Sequence, residues 1–438
     1  MRNVLGRTGL IALVASLAVT LLTSCDPPPP KLYGMHGDYT WDVSNSRISS
    51  SLDAEAAFGS DISRNTLRWN VTEPTQGTHN WSKTDFVVDE AVARGLAVML
   101  VVRDAPRWAS GSSNPRSSRA QLLRSPLVSR YKAFAAVQRY GNRVKYWEVW
   151  TEPNENYYWQ PSGLSHQADQ ARWIDMYAQL YRDTRAYVRQ VNTTVELAVG
   201  AITGIGAGCC IYGTTFLNAL IDRGLVFDHL AFNPHANRNQ APWDCIAFTQ
   251  SFCDVGKIRT ILVDRGRSNV KLWATEFGWQ VGGFTTTGTT VSKLRVPGNA
   301  YRLALWNNSG QVSINGVTKN YSSITRTASY NDINLTSPLS ALPALNSEVG
   351  SAQADTRHAQ YVREAIKMLR GTYVPAGSRP PQNYSYVQIG IYFRTSDIKT
   401  ETWGMYGLMH EPLPNYNQPG TWFLQGKPAA GSFMQETD

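Results

Sequence analysis

Trp147-Glu148-Val149-Trp150-Thr151-Glu152-Pro153-Asn154 and Leu272-Trp273-Ala274-Thr275-Glu276-Phe277-Gly278-Trp279 are built alike: a short aromatic and aliphatic run, a carboxylate at its end, then a Pro or Gly that stops it. Apolar runs of this length between turn signals read as buried strands. Two carboxylates this far apart in sequence serve one site only if the fold gathers strand ends together. A barrel of parallel strands does so, because side chains at the carboxyl ends of its strands converge on one mouth.

The rest of the chain keeps the same rhythm. Strand candidates fall at residues 32–36, 66–71, 97–102, 144–150, 195–202, 228–233, 270–275 and 387–393, and amphipathic stretches such as 83–94, 118–140, 167–191, 214–223, 253–265 and 352–370 lie between them. Strands alternating with helices give a parallel sheet, and eight such units predict a (β/α)8 TIM barrel rather than an open doubly wound sheet. One interval breaks the pattern. Residues 280–350 are rich in Thr, Ser, Asn and Gly without a helical period, and read as a long insertion after strand seven. Within it Gln311-Val312-Ser313-Ile314-Asn315-Gly316-Val317 has the Asn-Gly signal of a tight hairpin. Loops after barrel strands lie on the mouth, so the insertion is read either as a wall of the cleft or as a surface loop.

Composition sets the outer bounds. With 438 residues, 42% hydrophobic and 17% charged, the chain has room for one large core, and it shows no short-period repeat of a solenoid or propeller. The formal net charge is +9, but the basic residues form no run or phosphate-binding motif, which argues against nucleic acid. Arg2 and Arg7 precede the apolar run 11–22 and Leu22-Thr23-Ser24-Cys25, the pattern of an export signal over residues 1–25. Small residues running into Cys25 resemble a bacterial lipobox, which implies a lipidated Cys25, a membrane partner through that N-terminal anchor, and an exported, surface-held protein. The alternative is ordinary signal cleavage. Residues 26–31 read as a stiff Pro-rich spacer, and 32–436 as the barrel. Cys209, Cys210, Cys245 and Cys253 remain, an even number in an oxidising compartment, and predict two disulfides. Adjacent cysteines rarely bond to each other, so Cys209 and Cys210 are expected to reach Cys245 and Cys253; the spacing lacks the CxxC pairs of structural zinc.

Two carboxyl groups converging on one mouth are what cleavage of a glycosidic bond requires, one to protonate the leaving oxygen and one to attack or to activate water. Beyond that chemistry, the residues resemble the large clan of retaining glycoside hydrolases, in its cellulase-type and β-xylosidase-type branches, over residues 32–436. The match is carried by Trp-Glu-Val-Trp-Thr-Glu-Pro-Asn (147–154) and Ala-Thr-Glu-Phe-Gly-Trp (274–279). It is supported by Leu67-Arg68-Trp69, Glu73-Pro74-Thr75-Gln76-Gly77, Phe232-Asn233-Pro234-His235 and Gly426-Lys427-Pro428-Ala429. The resemblance implies Glu152 as acid/base, Glu276 as nucleophile, Arg68 near the nucleophile, a carbohydrate substrate, and no metal or organic cofactor. No obligate protein partner is implied.

Two positions depart from that pattern. The family's Asn before the acid/base is Thr151 here, and its Tyr two residues after the strand-six His is Asn237, so that either Asn237 or another residue such as Tyr392 takes that place. A barrel that binds carbohydrate without cleaving it is the alternative these departures raise. Arg68 has a second reading, as the partner of Glu148, whose parity with Glu152 points it into the lumen. His235 reads as a substrate contact or a satisfied strand-end histidine. Among the aromatics near the mouth (Trp69, Trp108, Tyr157, Tyr158, Trp159, Trp279 and Trp403), Trp159, Trp279 and Trp403 are taken as sugar-stacking faces, with a packing role as the alternative.

Overall fold

The computed structural model describes residues 31–37, 43–110, 135–159, 164–165, 167–204, 210–236, 240–245, 251–279, 285–286, 290–297, 311–314, 317–326, 330–340, 352–377, 382–393 and 428–437. Within them run the strands β1 (Leu32–His36), β2 (Ile62–Arg68), β3 (Ala97–Arg103), β4 (Tyr146–Thr151), β5 (Glu196–Thr203), β6 (His229–Asn233), β7 (Lys271–Phe277), β8 (Thr285–Thr286), β9 (Thr290–Pro297), β10 (Gln311–Ile314), β11 (Val317–Arg326), β12 (Tyr330–Ser340) and β13 (Val387–Tyr392). Strands β1 to β7 and β13 pair in parallel and close a barrel in the order β1-β13-β7-β6-β5-β4-β3-β2. The five others form a separate antiparallel sheet, in which β10 and β11 make the hairpin expected around Asn315-Gly316.

Seven barrel strands fall where the apolar runs place them, and β2 does not. The expected strand at 66–71 is found at Ile62–Arg68, while Trp69–Thr72 is a turn of helix. The reason is chemical: Ser63, Arg64 and Asn65 in the middle of β2 are polar yet 0–1% exposed. A buried strand carrying such residues hides from a hydropathy reading.

The core has two parts. One lies between barrel and helices, where Trp173, Tyr177, Tyr181, Thr184 and Val188 of the helix Gln170–Val191 recur at helical spacing and turn one face inward. The other is drawn from alternating strand positions, Ile62, Met99, Tyr146, Ala198, Ala231, Trp273 and Ile389, and fills the lumen. Above that apolar layer the lumen turns polar, with Arg64 and Glu148 both buried.

The end of β4 is kinked. Trp150 (φ 69°) and Glu152 (φ 44°) have left-handed backbones, and with Asp104 at the end of β3 they are the three non-glycine residues with positive φ among the described residues. Strained backbone of this kind costs about 1–3 kcal/mol per residue and gathers at functional sites. The kink breaks the β4–β5 ladder between Val149↔Val199 and Thr151↔Ala201. Tyr177 repairs the gap: its hydroxyl donates to the Val149 carbonyl at 2.9 Å and accepts the Gly200 N–H at 2.7 Å. Only glycine fits at 200, since a Cβ there would lie 2.2 Å from the Val149 oxygen. Tyr177→Phe leaves both backbone groups buried and unpaired, so we expect a loss of about 2–4 kcal/mol, read as a lower urea midpoint at unchanged slope. A midpoint equal to wild type would refute this account of the kink.

The disulfide expectation is corrected. Cys245 and Cys253 bond to each other, with their Cα atoms 5.3 Å apart, and Cys253 stands directly before the helix Asp254–Asp264. Cys210 is also disulfide-bonded, while Cys25 and Cys209 lie outside the described residues.

Candidate active site

Glu152 stands one residue beyond β4, on a loop fixed by its own backbone and side chains. Asn154 is fully buried and ties that loop to the end of β5, donating to the carbonyls of Thr203 (3.2 Å) and Ile211 (2.8 Å) and accepting from Thr203 N–H (3.0 Å). Trp173 donates to the Pro153 carbonyl at 2.9 Å, and Trp150 to that of Tyr158 at 2.8 Å. The Glu152 carboxyl accepts from Asn233 Nδ2 at 2.9 Å, and Asn233 in turn accepts from the Thr275 hydroxyl at 2.9 Å. One amide thus links the ends of β4, β6 and β7.

Glu276, near the end of β7, is held by Arg64 and His235. Arg64 Nη1 is 2.6 Å from Oε1, and His235 Nε2 is 3.2 Å from Oε2. Arg64 is fixed on its other side by Glu148, with Nε and Nη2 each donating at 3.1 Å, and its Nη1 lies 3.0 Å from Nδ1 of His36. Glu148 also accepts the Ala201 N–H at 3.0 Å. The ring of Phe393 stacks on His36 and meets His235 edge-on.

An oxygen of Glu152, an oxygen of Glu276 and a ring nitrogen of His235 all lie within 4.8 Å of one another. Their surroundings push the two acids apart. Burial lifts Glu152 well above the usual carboxyl range, the hydrogen bond and charge of Glu155 and the charge of Glu276 add to this, and His235 opposes it. Burial also works to lift Glu276, but the Arg64 charge, the His235 hydrogen bond and His36 override it and hold that carboxyl far below the usual range. The site therefore offers one proton donor and one anion side by side. Geometrically the three groups are also close enough to ligate a cation, although Arg64 already supplies positive charge to Glu276.

Several expectations change here. Arg68 was expected at the nucleophile or on Glu148; it pairs with Asp104 at 2.6 Å, and Arg64, four residues earlier on the same face of β2, reaches both carboxylates. Trp159 and Trp279 are 1% exposed: Trp159 packs on Trp150 and Tyr177, and Trp279 packs on Phe252 while its indole donates to Gln240. Neither offers a face to a sugar. His235 sits on Glu276, Thr151 is buried at the end of β4, and the Tyr392 hydroxyl meets His358 at 2.5 Å. Asn237 and Trp403 lie outside the described residues. The sequence reading passed over Arg64, His36, Asn233 and Glu155. Asn233 had a signal, standing before Pro234 in a motif already noted. Tyr158 was named only for stacking, yet its phenol is raised well above its usual range by burial and by the nearby Glu152 charge.

Fold and site together define a closed (β/α)8 barrel with a carboxyl pair at its mouth. No family model matches the chain. It is 25% identical over 151 residues to endo-1,4-beta-xylanase A of Phanerodontia chrysosporium, a match spanning 33% of this chain and 36% of that protein, so the chain spans about a third of the curated relative it matches. Among solved structures it is similar to a family 39 glycoside hydrolase from Bacteroides cellulosilyticus (TM-score 0.54, 16% identity, 93% of this chain and 64% of that one). It is also similar to xylanase 10B of Thermotoga maritima (TM-score 0.50, 12% identity, 93% and 94%). At such identities the likeness is one of fold.

Proposed function

We propose that the protein is a retaining glycoside hydrolase that cleaves β-linked oligo- or polysaccharide by double displacement. The observation that carries this is that one carboxyl oxygen of Glu152 lies within 4.8 Å of one of Glu276. Retaining enzymes hold their carboxyl groups about 5–5.5 Å apart, whereas inverting ones need about 6.5–9.5 Å to admit a water between acid and sugar. Glu152 gives its proton to the leaving oxygen while Glu276 attacks the anomeric carbon. Glu152, now a carboxylate, then takes a proton from the water that displaces Glu276. Arg64 and His235 keep the attacking carboxylate ionised, and Asn233 fixes the Glu152 carboxyl in the cleft. A xylan-type backbone is the first substrate to try, since the relatives named above include xylanases.

The test is release of reducing ends from β-linked xylans, glucans, mannans and galactans, with NMR of the first product. We expect the β anomer first; an α product would overturn double displacement. Activity should fall on the acid side as Glu276 takes a proton, and on the alkaline side as Glu152 loses one. Because Glu276 is held low and Glu152 high, the plateau between the two limbs is expected to be wide and to include neutral pH. A profile already falling between pH about 5 and 7 would contradict the assignment.

A further inference from the structure

An amide turned through 180° exchanges a donor for an acceptor, so Asn233 can meet Glu152 in two ways. Its neighbour on the next strand decides between them. Phe232 of β6 pairs with Ala274 of β7, which makes Asn233 and Thr275 the next residues of adjacent strands. Each stands two positions beyond a residue of the lumen layer, Ala231 and Trp273, and so on the same face of the sheet. Both are fully buried. The Thr275 hydroxyl donates to Asn233 Oδ1 at 2.9 Å, and Asn233 Nδ2 donates to Glu152 Oε1 at 2.9 Å. Among the described residues, Asn233 Oδ1 is the acceptor that the Thr275 O–H has; with the amide reversed, that proton would be buried without a partner, which is costly. Nothing in the proposed chemistry so far uses Thr275.

We propose that Thr275 is a positioning residue for the acid/base, resting on the glycosidase reading: through Asn233 it decides which oxygen of Glu152 carries the proton. An oxygen that accepts the amide N–H is the carbonyl oxygen of the protonated acid, so Oε1 stays on Asn233 and the proton is kept on Oε2. When substrate binds, Oε2 gives that proton to the glycosidic oxygen, the C–O bond breaks with its electron pair going to that oxygen, and a Glu276 oxygen bonds to the anomeric carbon. In the second step water bonds to that carbon, its proton goes to Oε2, and Glu276 leaves as carboxylate. Oε1 keeps the same partner throughout, so one oxygen serves as acid and then as base without rotation of the carboxyl. Without the Thr275 hydroxyl the amide is free to turn; its Oδ1 then accepts the Glu152 O–H and draws the proton away from the leaving oxygen. The charged and titratable groups around Glu152, namely Glu155 and Tyr158 on its own loop, Glu276 on β7 and His235 beyond β6, stay as they are.

The test compares Thr275→Val, which keeps the shape and removes the hydroxyl, with Thr275→Ser, which keeps the hydroxyl. In infrared difference spectra of the full chain, the protonated-carboxyl band that Glu152→Gln abolishes is followed. It should gain a component at higher wavenumber in Thr275→Val, from acid whose carbonyl oxygen has lost the amide N–H, and stay single in Thr275→Ser. If the wild type cleaves 4-nitrophenyl β-xyloside, kcat/KM should fall about tenfold in Thr275→Val, a part of the roughly 10²- to 10⁴-fold that acid catalysis supplies. Its alkaline limb should move up, because an acceptor facing Glu152 favours the protonated form. The 2,4-dinitrophenyl analogue, whose leaving group needs little protonation, should lose little. Added to Asn233→Ala, Thr275→Val should change nothing further, since Thr275 acts through the amide. If Thr275→Val does not fold, Thr275→Ser against Thr275→Ala makes the same comparison. An unchanged carboxyl band, or equal losses on both glycosides, overturns the proposal. A wild type that cleaves no glycoside removes the glycosidase reading, while the band still decides whether Thr275 places the Glu152 proton.

Discussion

Glu276→Gln is expected to lower kcat/KM by about 10⁴-fold or more on any substrate the wild type cleaves, because an amide of the same shape has no lone pair able to form the glycosyl ester. Loss of activity alone does not identify a nucleophile, so the comparison with Glu152→Gln matters. That variant keeps the attacking carboxylate and lacks only the proton, so it should still react with a 2,4-dinitrophenyl glycoside, stall as the glycosyl ester, and be released by azide as the β-glycosyl azide. Glu276→Gln should respond to azide with no β product. The variant also removes one partner of Arg64, which keeps its contacts to Glu148, so the chain should stay folded. If Glu276→Gln turns substrate over at wild-type rate, the assignment fails. If the wild type cleaves nothing yet binds a glycan at this mouth, the carbohydrate-binding alternative takes its place.

The barrel was readable because its strands are apolar runs at regular intervals, and the two carboxylates because each ends such a run. What escaped reading follows one physical rule: in the upper lumen, burial is compensated by partners far away in sequence. Arg64 lies in a run of Ser, Arg and Asn that no hydropathy window marks as strand, and its burial makes sense only beside Glu148 and Glu276, 84 and 212 positions away. Arg68 stood next to a recognisable tryptophan and drew the assignment instead. Trp159 and Trp279 were misread for the converse reason. Closeness in sequence to a catalytic carboxylate fixes the backbone nearby but not the face a ring presents, and both rings turn into the core. The Cys245–Cys253 bond joins two cysteines eight positions apart, a pairing that the count and spacing of the cysteines do not single out.

Arg64→Met is expected to be the most destabilising single change in the site, by about 3–5 kcal/mol, because it leaves two carboxylates buried without their cation. Burial already lifts Glu148 to about 7 even against the pull of Arg64 and the Ala201 N–H. Glu276 is low only because Arg64, with the two histidines, overrides its own burial. In the wild type these groups act in opposite senses. Glu276, depressed below its ordinary 4.5, contributes stability that is present above that value and lost as pH falls toward its folded pKa. Glu148, raised above 4.5, contributes stability that is present below that value and lost as pH rises through about 7. Without Arg64 both carboxyls are raised, both bind protons more tightly folded than unfolded, and both lose stability as pH rises. The deficit of the variant in urea unfolding should therefore grow as pH rises from about 5 toward about 8, and shrink further below pH about 4.5 as the wild type loses the Glu276 contribution. Any residual activity should show its acid limb displaced upward, since Glu276 would then ionise only at higher pH. Arg64→Lys separates charge from geometry: one ammonium cannot hold Glu148 with two donors and reach Glu276 as well, so it should recover part of the stability and little of the rate. A deficit independent of pH would mean that Arg64 acts by filling space and that the charge of Glu276 is set elsewhere.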